Sequence, residues 1–247
     1  MELKEFFKEY PKVAIGFSGG VDSSYLMYAA KKYGADIQPY YIKTEFQPQF
    51  EYADAVMLCN NLGIKLKVIE YSILSEDIVT ENPKNRCYYC KKILFSLIKK
   101  KAAEDGYNLI IDGTNASDDA NDRAGMKSLE ELEIRSPLRE CGLTKERIRA
   151  LSKEAGLFTW NKPAYACLAT RIPTGERISA DLLNKVECSE NILMSMGFSD
   201  FRVRVFADAA RLQIKSEQFL KAAECRMEIL KRIKPYFENV LLDMETR

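Results

Sequence analysis

The chain has 247 residues, 47% of them hydrophobic and 30% charged, with 37 Lys and Arg against 36 Asp and Glu. That length accommodates one large domain or a nucleotide-binding domain with a smaller companion, and a net charge of +1 supplies no general basic field for a large nucleic acid. Histidine is absent, which excludes Ser-His and Cys-His nucleophile pairs, His metal sites and an imidazole general base.

The apolar run at residues 13–17 reads as a buried strand and residues 25–30 as a helix packed on it, with Ser18, Gly19, Gly20, Val21, Asp22, Ser23 and Ser24 between them. A glycine pair lets the backbone turn sharply with its N–H groups inward, and the following helix N-terminus adds positive potential, so the loop suits phosphate. The G-x-x-x-x-G-K-[ST] spacing is missing, so this is not a Walker A loop. The S-G-G-V-D-S motif resembles instead the PP-loop of the ATP pyrophosphatases. That resemblance implies a grip on the β and γ phosphates by Ser18, Gly19, Gly20, Val21, Asp22 and Ser23, with substrate attack at the α phosphate. Asp22 is the natural carboxylate ligand for the accompanying Mg²⁺.

Gly34 closes the helix, residues 37–42 form a second strand, a helix runs from about 51 to 61, and residues 65–71 form a third strand. Strands alternating with helices imply a doubly wound, mostly parallel α/β sheet, whose ligands sit at the carboxyl ends of the strands. After a helix led by the Cys87/Cys90 pair, residues 109–115 read as a strand ending in a Gly/Thr/Asn loop. The G-T-N-x-x-D-D pattern there, followed by Asp122 and Arg123, resembles the strand-end loop that lines the active site in several PP-loop families, which implies Gly113 and Thr114 at the nucleotide and Asp118 and Asp119 beside it; an Asx-rich turn capping the next helix is the plainer alternative. A helix over 144–155, closed by Gly156, completes the nucleotide domain, set at residues 1–164.

Residues 159–175 contain little strand character and read as a linker and active-site wall. Beyond them come a helix over 180–196, strands at 201–206 and 210–215, a helix over 217–233 and a strand at 239–242, a small α+β domain set at 165–247 for substrate binding and oligomerisation. No early apolar stretch of signal-peptide type and no membrane-length run occurs, which reads as a cytoplasmic protein.

Seven scattered cysteines make an odd set, better suited to metal or sulfur chemistry than to a disulfide framework. Cys87 and Cys90 form C-x-x-C at the mouth of a helix, compatible with a redox dithiol, half of a zinc site or two ligands of an iron–sulfur cluster. Cys167, in the wall segment, is the candidate third ligand; Cys59, Cys141, Cys188 and Cys225 are read as packing residues.

The stretches S-G-G-V-D-S, N-P-K-N-R-C-Y-Y-C-K, D-G-T-N-A-S-D-D and K-P-A-Y-A-C-L-A-T-R-I-P-T-G, with R-V-R-V afterwards, together resemble the LarE family of ATP-dependent sulfur transferases over nearly the whole chain. The resemblance implies adenylation of the carboxylates of pyridinium-3,5-biscarboxylic acid mononucleotide and their conversion to thiocarboxylates, on the way to a nickel-pincer cofactor. Cys167, Asp22 and Ser18 are then expected at the chemistry, with ATP and Mg²⁺. Members carrying the extra cysteine pair imply a [4Fe–4S] cluster on Cys87, Cys90 and Cys167 that bears a transferable sulfide; members with one cysteine give up its sulfur instead. Thr170, Arg171, Arg202 and Arg204 are implied as ligands of the substrate phosphate, for which bidentate guanidinium donors are suited. Sulfide or a sulfur-donor protein is the implied partner and a homo-oligomer the implied assembly. The chain departs from the family pattern at Phe206-Ala207, where many members carry His-Gly. A tRNA thiolase is the alternative, since such enzymes also join a PP-loop to C-x-x-C and a distant cysteine, but it calls for a basic RNA face. A zinc-binding or sulfur-carrying scaffold without catalysis is a third.

Overall fold

Two sheets organise the chain, one in each of two compact units: Met1–Ser72 with Asn85–Lys162, and Ile73–Lys84 with Pro163–Arg247. The computed structural model describes residues 2–118 and 123–246, with the backbone alone at 123 and 124.

In the first unit, α1 (Leu3–Glu9) buries Leu3, Phe6 and Phe7, an i, i+3, i+4 stripe that fixes it to the core. The strands and helices that follow are β1 (Lys12–Gly16), α2 (Val21–Lys32), β2 (Asp36–Lys43), α3 (Gln49–Asn61) and β3 (Lys67–Glu70). A one-turn helix, α4 (Asp77–Thr80), belongs to the second unit. The first unit resumes with α5 (Arg86–Glu104), β4 (Ile110–Ile111), α6 (Arg123–Glu131), α7 (Pro137–Glu140) and α8 (Lys145–Glu154).

All four strands are parallel, in the order β3-β2-β1-β4. Successive side chains of β1 go to opposite faces: Val13 and Ile15 pack with Phe6, Leu26, Leu58 and Ile148, whereas Ala14 packs with Tyr40, Ile98 and Leu129. Helices therefore cover both faces, as the alternation of strands and helices implies, and the strand order reverses between β1 and β4. That reversal opens a crevice at the carboxyl ends of the strands.

The second unit continues with α9 (Ala180–Ser195), β5 (Arg202–Phe206), β6 (Ala209–Gln213), α10 (Phe219–Glu224), α11 (Arg226–Ile233) and β7 (Asn239–Leu242). Strand β5 is antiparallel to β6, and β6 is parallel to β7. The apolar face of this sheet, Val203, Val205, Ala210 and Leu212, is buried, as are Val186 and Leu193 of α9. The segment 73–84 is tied in by main-chain bonds from Ile178 N to Thr80 O (2.7 Å) and Gly175 N to Asn82 O (2.8 Å). Asn82 takes a φ of 55°, a left-handed conformation that Asn tolerates, and its Nδ2 donates to Pro173 O at 2.7 Å.

Residues 217–233, expected as one helix, form a 3₁₀ turn and two helices that meet at Cys225, where ψ is 7°. No Gly or Pro marks that break, so the periodicity runs through it. Among the described residues, no helix is long and apolar enough to cross a membrane.

Candidate active site

The loop after β1 is shaped by close contacts. A Cβ at Gly16 would stand 2.7 Å from the ring of Phe95, and Phe17 N donates to Tyr40 O at 2.9 Å, holding the chain to the sheet for one residue more. Gly19 has a φ of 74°, and a Cβ there would meet Glu51 O at 3.1 Å, so both its conformation and its surroundings call for glycine. Gly20 is the N-cap of α2. Ser23 Oγ donates to Gly20 O at 3.2 Å and lies 3.1 Å from Ser18 Oγ, closing the loop on itself. The first N–H groups of α2 then have no intrahelical acceptor, and the helix dipole adds positive potential there.

The loop after β4 comes directly against this one. A Cβ on Gly113 would lie 2.8 Å from Ser23 N, so only glycine admits the approach. Ser18, Asp22 and Ser23 face Asp112, Thr114 and Asp118 across a cavity of about 270 Å³. Lys91 and Phe95 of α5 complete its wall. Ser117 N donates to Asn115 Oδ1 at 2.8 Å and Asn115 N to Asp118 Oδ2 at 2.9 Å, an Asx-type turn that also lines the cavity. Asp119, Asp122 and the side chain of Arg123 lie outside the described residues.

Two carboxylates in this cavity are displaced from ordinary behaviour. Asp22 is held by Lys145 Nζ, yet burial raises its carboxyl above the usual range and the ammonium offsets that only in part. Asp112 accepts from Ser136 Oγ at 2.6 Å and from Thr114 Oγ1, and burial again outweighs these bonds and raises it. Lys162 Nζ pairs with Asp54 at 2.7 Å and donates to Gly19 O at 3.4 Å, bracing the phosphate loop from the side. Arg149 positions Lys162 by donating to its main-chain O at 2.8 Å.

In the second unit, Cys167 precedes a 3₁₀ turn, Leu168–Arg171, that brings Thr170 and Arg171 back on it. Thr170 Oγ1 donates to Cys167 O at 2.8 Å, and Arg171 Nη1 donates to Ala166 O at 2.7 Å. The Arg171 side chain is fully buried against Glu190, with Nε to Oε1 at 2.9 Å and Nη2 to Oε2 at 3.2 Å. Glu190 also accepts from Val203 N at 3.0 Å and from the Tyr165 hydroxyl. Burial and the neighbouring Glu190 push the Tyr165 phenol upward, so it stays protonated and donates. Arg202 and Arg171 stack on the Tyr165 ring at 5.0 and 4.5 Å. Arg202 Nη2 reaches Ala164 O at 2.6 Å and Arg204 Nη1 reaches Thr170 O at 2.8 Å. The four expected phosphate ligands are thus gathered around the Cys167 turn, with Arg171 held on the buried Glu190.

Cys87 and Cys90 stand in the first two turns of α5, three residues apart and so on neighbouring positions of one helical face. Cys87 is exposed and Cys90 half-buried, and none of the seven cysteines is in a disulfide. That pair suits two soft thiolate ligands of a metal or cluster. Among the described residues, no group of three or more Cys, Asp or Glu is gathered into a metal site, and Cys167 belongs to the other unit. Cys59 is buried in the core, which pushes its thiol up to about 12.

Several site residues escaped the sequence analysis. Lys145 reaches Asp22 from 123 positions away, and nothing local marks it. Asp112 did carry a signal, a carboxylate directly after an apolar strand at the sheet's carboxyl edge. Glu190 carried one too, as the acid on the buried stripe of α9 that includes Leu183, Val186 and Leu193.

Residues 11–133 match the tRNA methyl transferase HUP domain family. An uncharacterized protein of Synechocystis is 35% identical over 87% of this chain and 81% of its own length. The pyridinium-3,5-bisthiocarboxylic acid mononucleotide synthase of Lactiplantibacillus plantarum is 32% identical over 84% of this chain and 76% of its own length. A tRNA-specific 2-thiouridylase of Pseudothermotoga lettingae is more distant, 27% identical over 67% of this chain and 58% of its own length. The phosphate loop, the strand-end glycine pressed against it and these extended similarities make the chain a member of the LarE family of PP-loop enzymes, which are ATP-dependent and transfer sulfur.

Proposed function

We propose that this protein adenylates the carboxylates of pyridinium-3,5-biscarboxylic acid mononucleotide and converts them to thiocarboxylates. The observation that carries the reading is the cavity in which Ser18, Asp22 and Ser23 meet Gly113 and Thr114, in a chain 32% identical to a synthase of the corresponding bisthiocarboxylate. A carboxylate is a poor acyl donor because oxide is a poor leaving group. ATP removes that obstacle: a substrate carboxylate oxygen attacks the α-phosphorus, pyrophosphate leaves, and the acyl carbon then carries AMP. Ser18, Gly19, Gly20, Val21 and Ser23 hold the β and γ phosphates, whose charge the N-terminus of α2 offsets as pyrophosphate departs. Asp22 would hold Mg²⁺, which when bound would offset the phosphate charge.

Thr170, Arg202 and Arg204 bind the phosphate of the mononucleotide. Arg171, anchored on Glu190 and on the carbonyls of the turn, adds positive potential and holds Cys167 in place. A sulfur nucleophile attacks the acyl carbon and AMP leaves. Cys87, Cys90 and Cys167 are the ligands that this reading assigns to a [4Fe–4S] cluster, which when bound would supply sulfide. The reading carries with it a cytoplasmic homo-oligomer served by sulfide or a sulfur-donor protein.

Protein handled without oxygen should release pyrophosphate from ATP when the dicarboxylate mononucleotide is added. Absence of that release sinks the reading, and salt-sensitive binding of tRNA would replace it with the thiolase. Iron and acid-labile sulfide that are lost in Cys167→Ala test the cluster separately from the adenylation.

A further inference from the structure

Asp22 is spoken for on one side only. Its Oδ2 is held by Lys145 Nζ, while Oδ1 is buried with no hydrogen-bond partner. The pair is largely enclosed, with the side chains 33% and 19% exposed, so solvent screens it weakly. Lys145 is the first residue of α8, its N–H donates to Ser117 Oγ at 3.0 Å, and the N-cap Thr144 accepts from Arg147 N at 3.3 Å. The base of the side chain is therefore fixed, and its four methylenes are free to carry the ammonium between neighbouring anions.

A divalent cation on the open Oδ1 would stand beside the ammonium on Oδ2 of the same carboxylate, and their mutual repulsion is strong where screening is weak. Metal binding at Asp22 therefore drives Lys145 off Oδ2, and the displaced ammonium then needs another anion within reach. The anion that arrives with the metal is the triphosphate, held by the loop to which Asp22 belongs. We infer that Lys145 is a phosphate-binding residue held in reserve: it neutralises Asp22 in the nucleotide-free enzyme and passes to a β- or γ-phosphate oxygen when Mg²⁺·ATP arrives. The exchange makes metal alone a poor ligand and metal with nucleotide a good one, so Asp22 accepts the cation only together with its phosphates. This inference rests on the reading of the Ser18–Ser23 loop as the ATP site.

The test compares Lys145→Met with the unaltered protein by equilibrium titration, using Mn²⁺ alone and Mg²⁺ with a non-hydrolysable ATP analogue. Loss of one charge-assisted bond to phosphate weakens nucleotide binding about tenfold to a hundredfold. Mn²⁺ alone, freed of its competitor, should bind at least about threefold tighter, the opposite sign. Lys145→Arg keeps the cation and should retain nucleotide affinity to within about threefold, which separates loss of the charge from damage to the fold. Unchanged nucleotide affinity in Lys145→Met overturns the inference, as does weakening of both ligands together. If the unaltered protein binds no Mg²⁺ with nucleotide at all, the ATP-site reading itself fails; Asp22→Asn, which removes the carboxylate charge, should lose Mn²⁺ binding if that reading is right.

Discussion

Replacing Glu190 by Ala isolates the interaction on which the Cys167 turn depends. Glu190 is 2% exposed and is the acceptor for Arg171 Nε and Nη2, Val203 N and the Tyr165 hydroxyl. Deleting it leaves a guanidinium with no exposed surface and no counter-charge, a change that costs about 3–5 kcal/mol. The Val203 N–H also loses its acceptor in the interior, adding about 1–3 kcal/mol. The sum approaches the whole stability of an ordinary domain, about 5–15 kcal/mol, so the second unit should open locally or unfold while the first remains intact. Trp160, the single tryptophan, belongs to the first unit and its fluorescence follows the unfolding of that unit. The second is best followed by hydrogen exchange at Val203 in increasing urea. Arg171→Met together with Glu190→Met removes both charges and should be less destabilising than Glu190→Ala, since the uncompensated cation is gone. A Glu190→Ala protein within about 1 kcal/mol of the original, with Val203 still protected, would refute the view that this ion pair anchors the turn.

Three further outcomes follow from the geometry of the first unit. Gly113→Ala places a methyl group 2.8 Å from Ser23 N, and since the backbone fixes the Cβ and Ser23 N is itself main chain, the phosphate loop must shift; nucleotide affinity should fall at least about tenfold, ~1.4 kcal/mol, and an unchanged titration would contradict the close approach. Burial raises the Asp112 carboxyl, so the folded state holds that proton more tightly than the unfolded one, and its contribution to stability is full below about pH 4 and declines as pH rises through the folded value. Urea unfolding of the protein and of Asp112→Asn should therefore converge or cross as pH rises from 4 to 8, with a pH-independent difference counting against the burial argument. Cys59, buried and with its thiol pushed up to about 12, should escape alkylation in the native protein while the exposed Cys87 reacts, as peptide mass spectrometry would read; equal labelling of the two would contradict the core packing.

Much of the fold was legible because its signals are local. The apolar run at 13–17, the glycines at 34, 63 and 156, and the capping Thr144 and Ser179 mark the elements closely. The amphipathic α1 was overlooked although Leu3, Phe6 and Phe7 have helical spacing. The strand expected at 109–115 pairs with β1 only over Ile110–Ile111; beyond it, Asp112 N turns to Arg135 O at 2.9 Å. The site was legible as motifs and less so as partnerships. Arg171 illustrates the limit: its guanidinium is fully buried on a carboxylate 19 residues away, an arrangement that the motif Thr170-Arg171 does not disclose.

What the sequence by itself determined was the strand–loop–helix that binds phosphate, the alternation that forces a parallel sheet covered on both faces, and the clustering of Thr170 and Arg171 beside Cys167. These follow from backbone sterics, side-chain periodicity and proximity along the chain, which act over a few residues. Only the tertiary structure decided that Lys145 neutralises Asp22, that Gly113 touches Ser23, that Glu190 anchors Arg171 and that residues 73–84 join the second unit. A buried charge must find a counter-charge, but where that partner stands in the chain is set by which surfaces pack together, and packing is a sum over contacts between residues far apart in sequence.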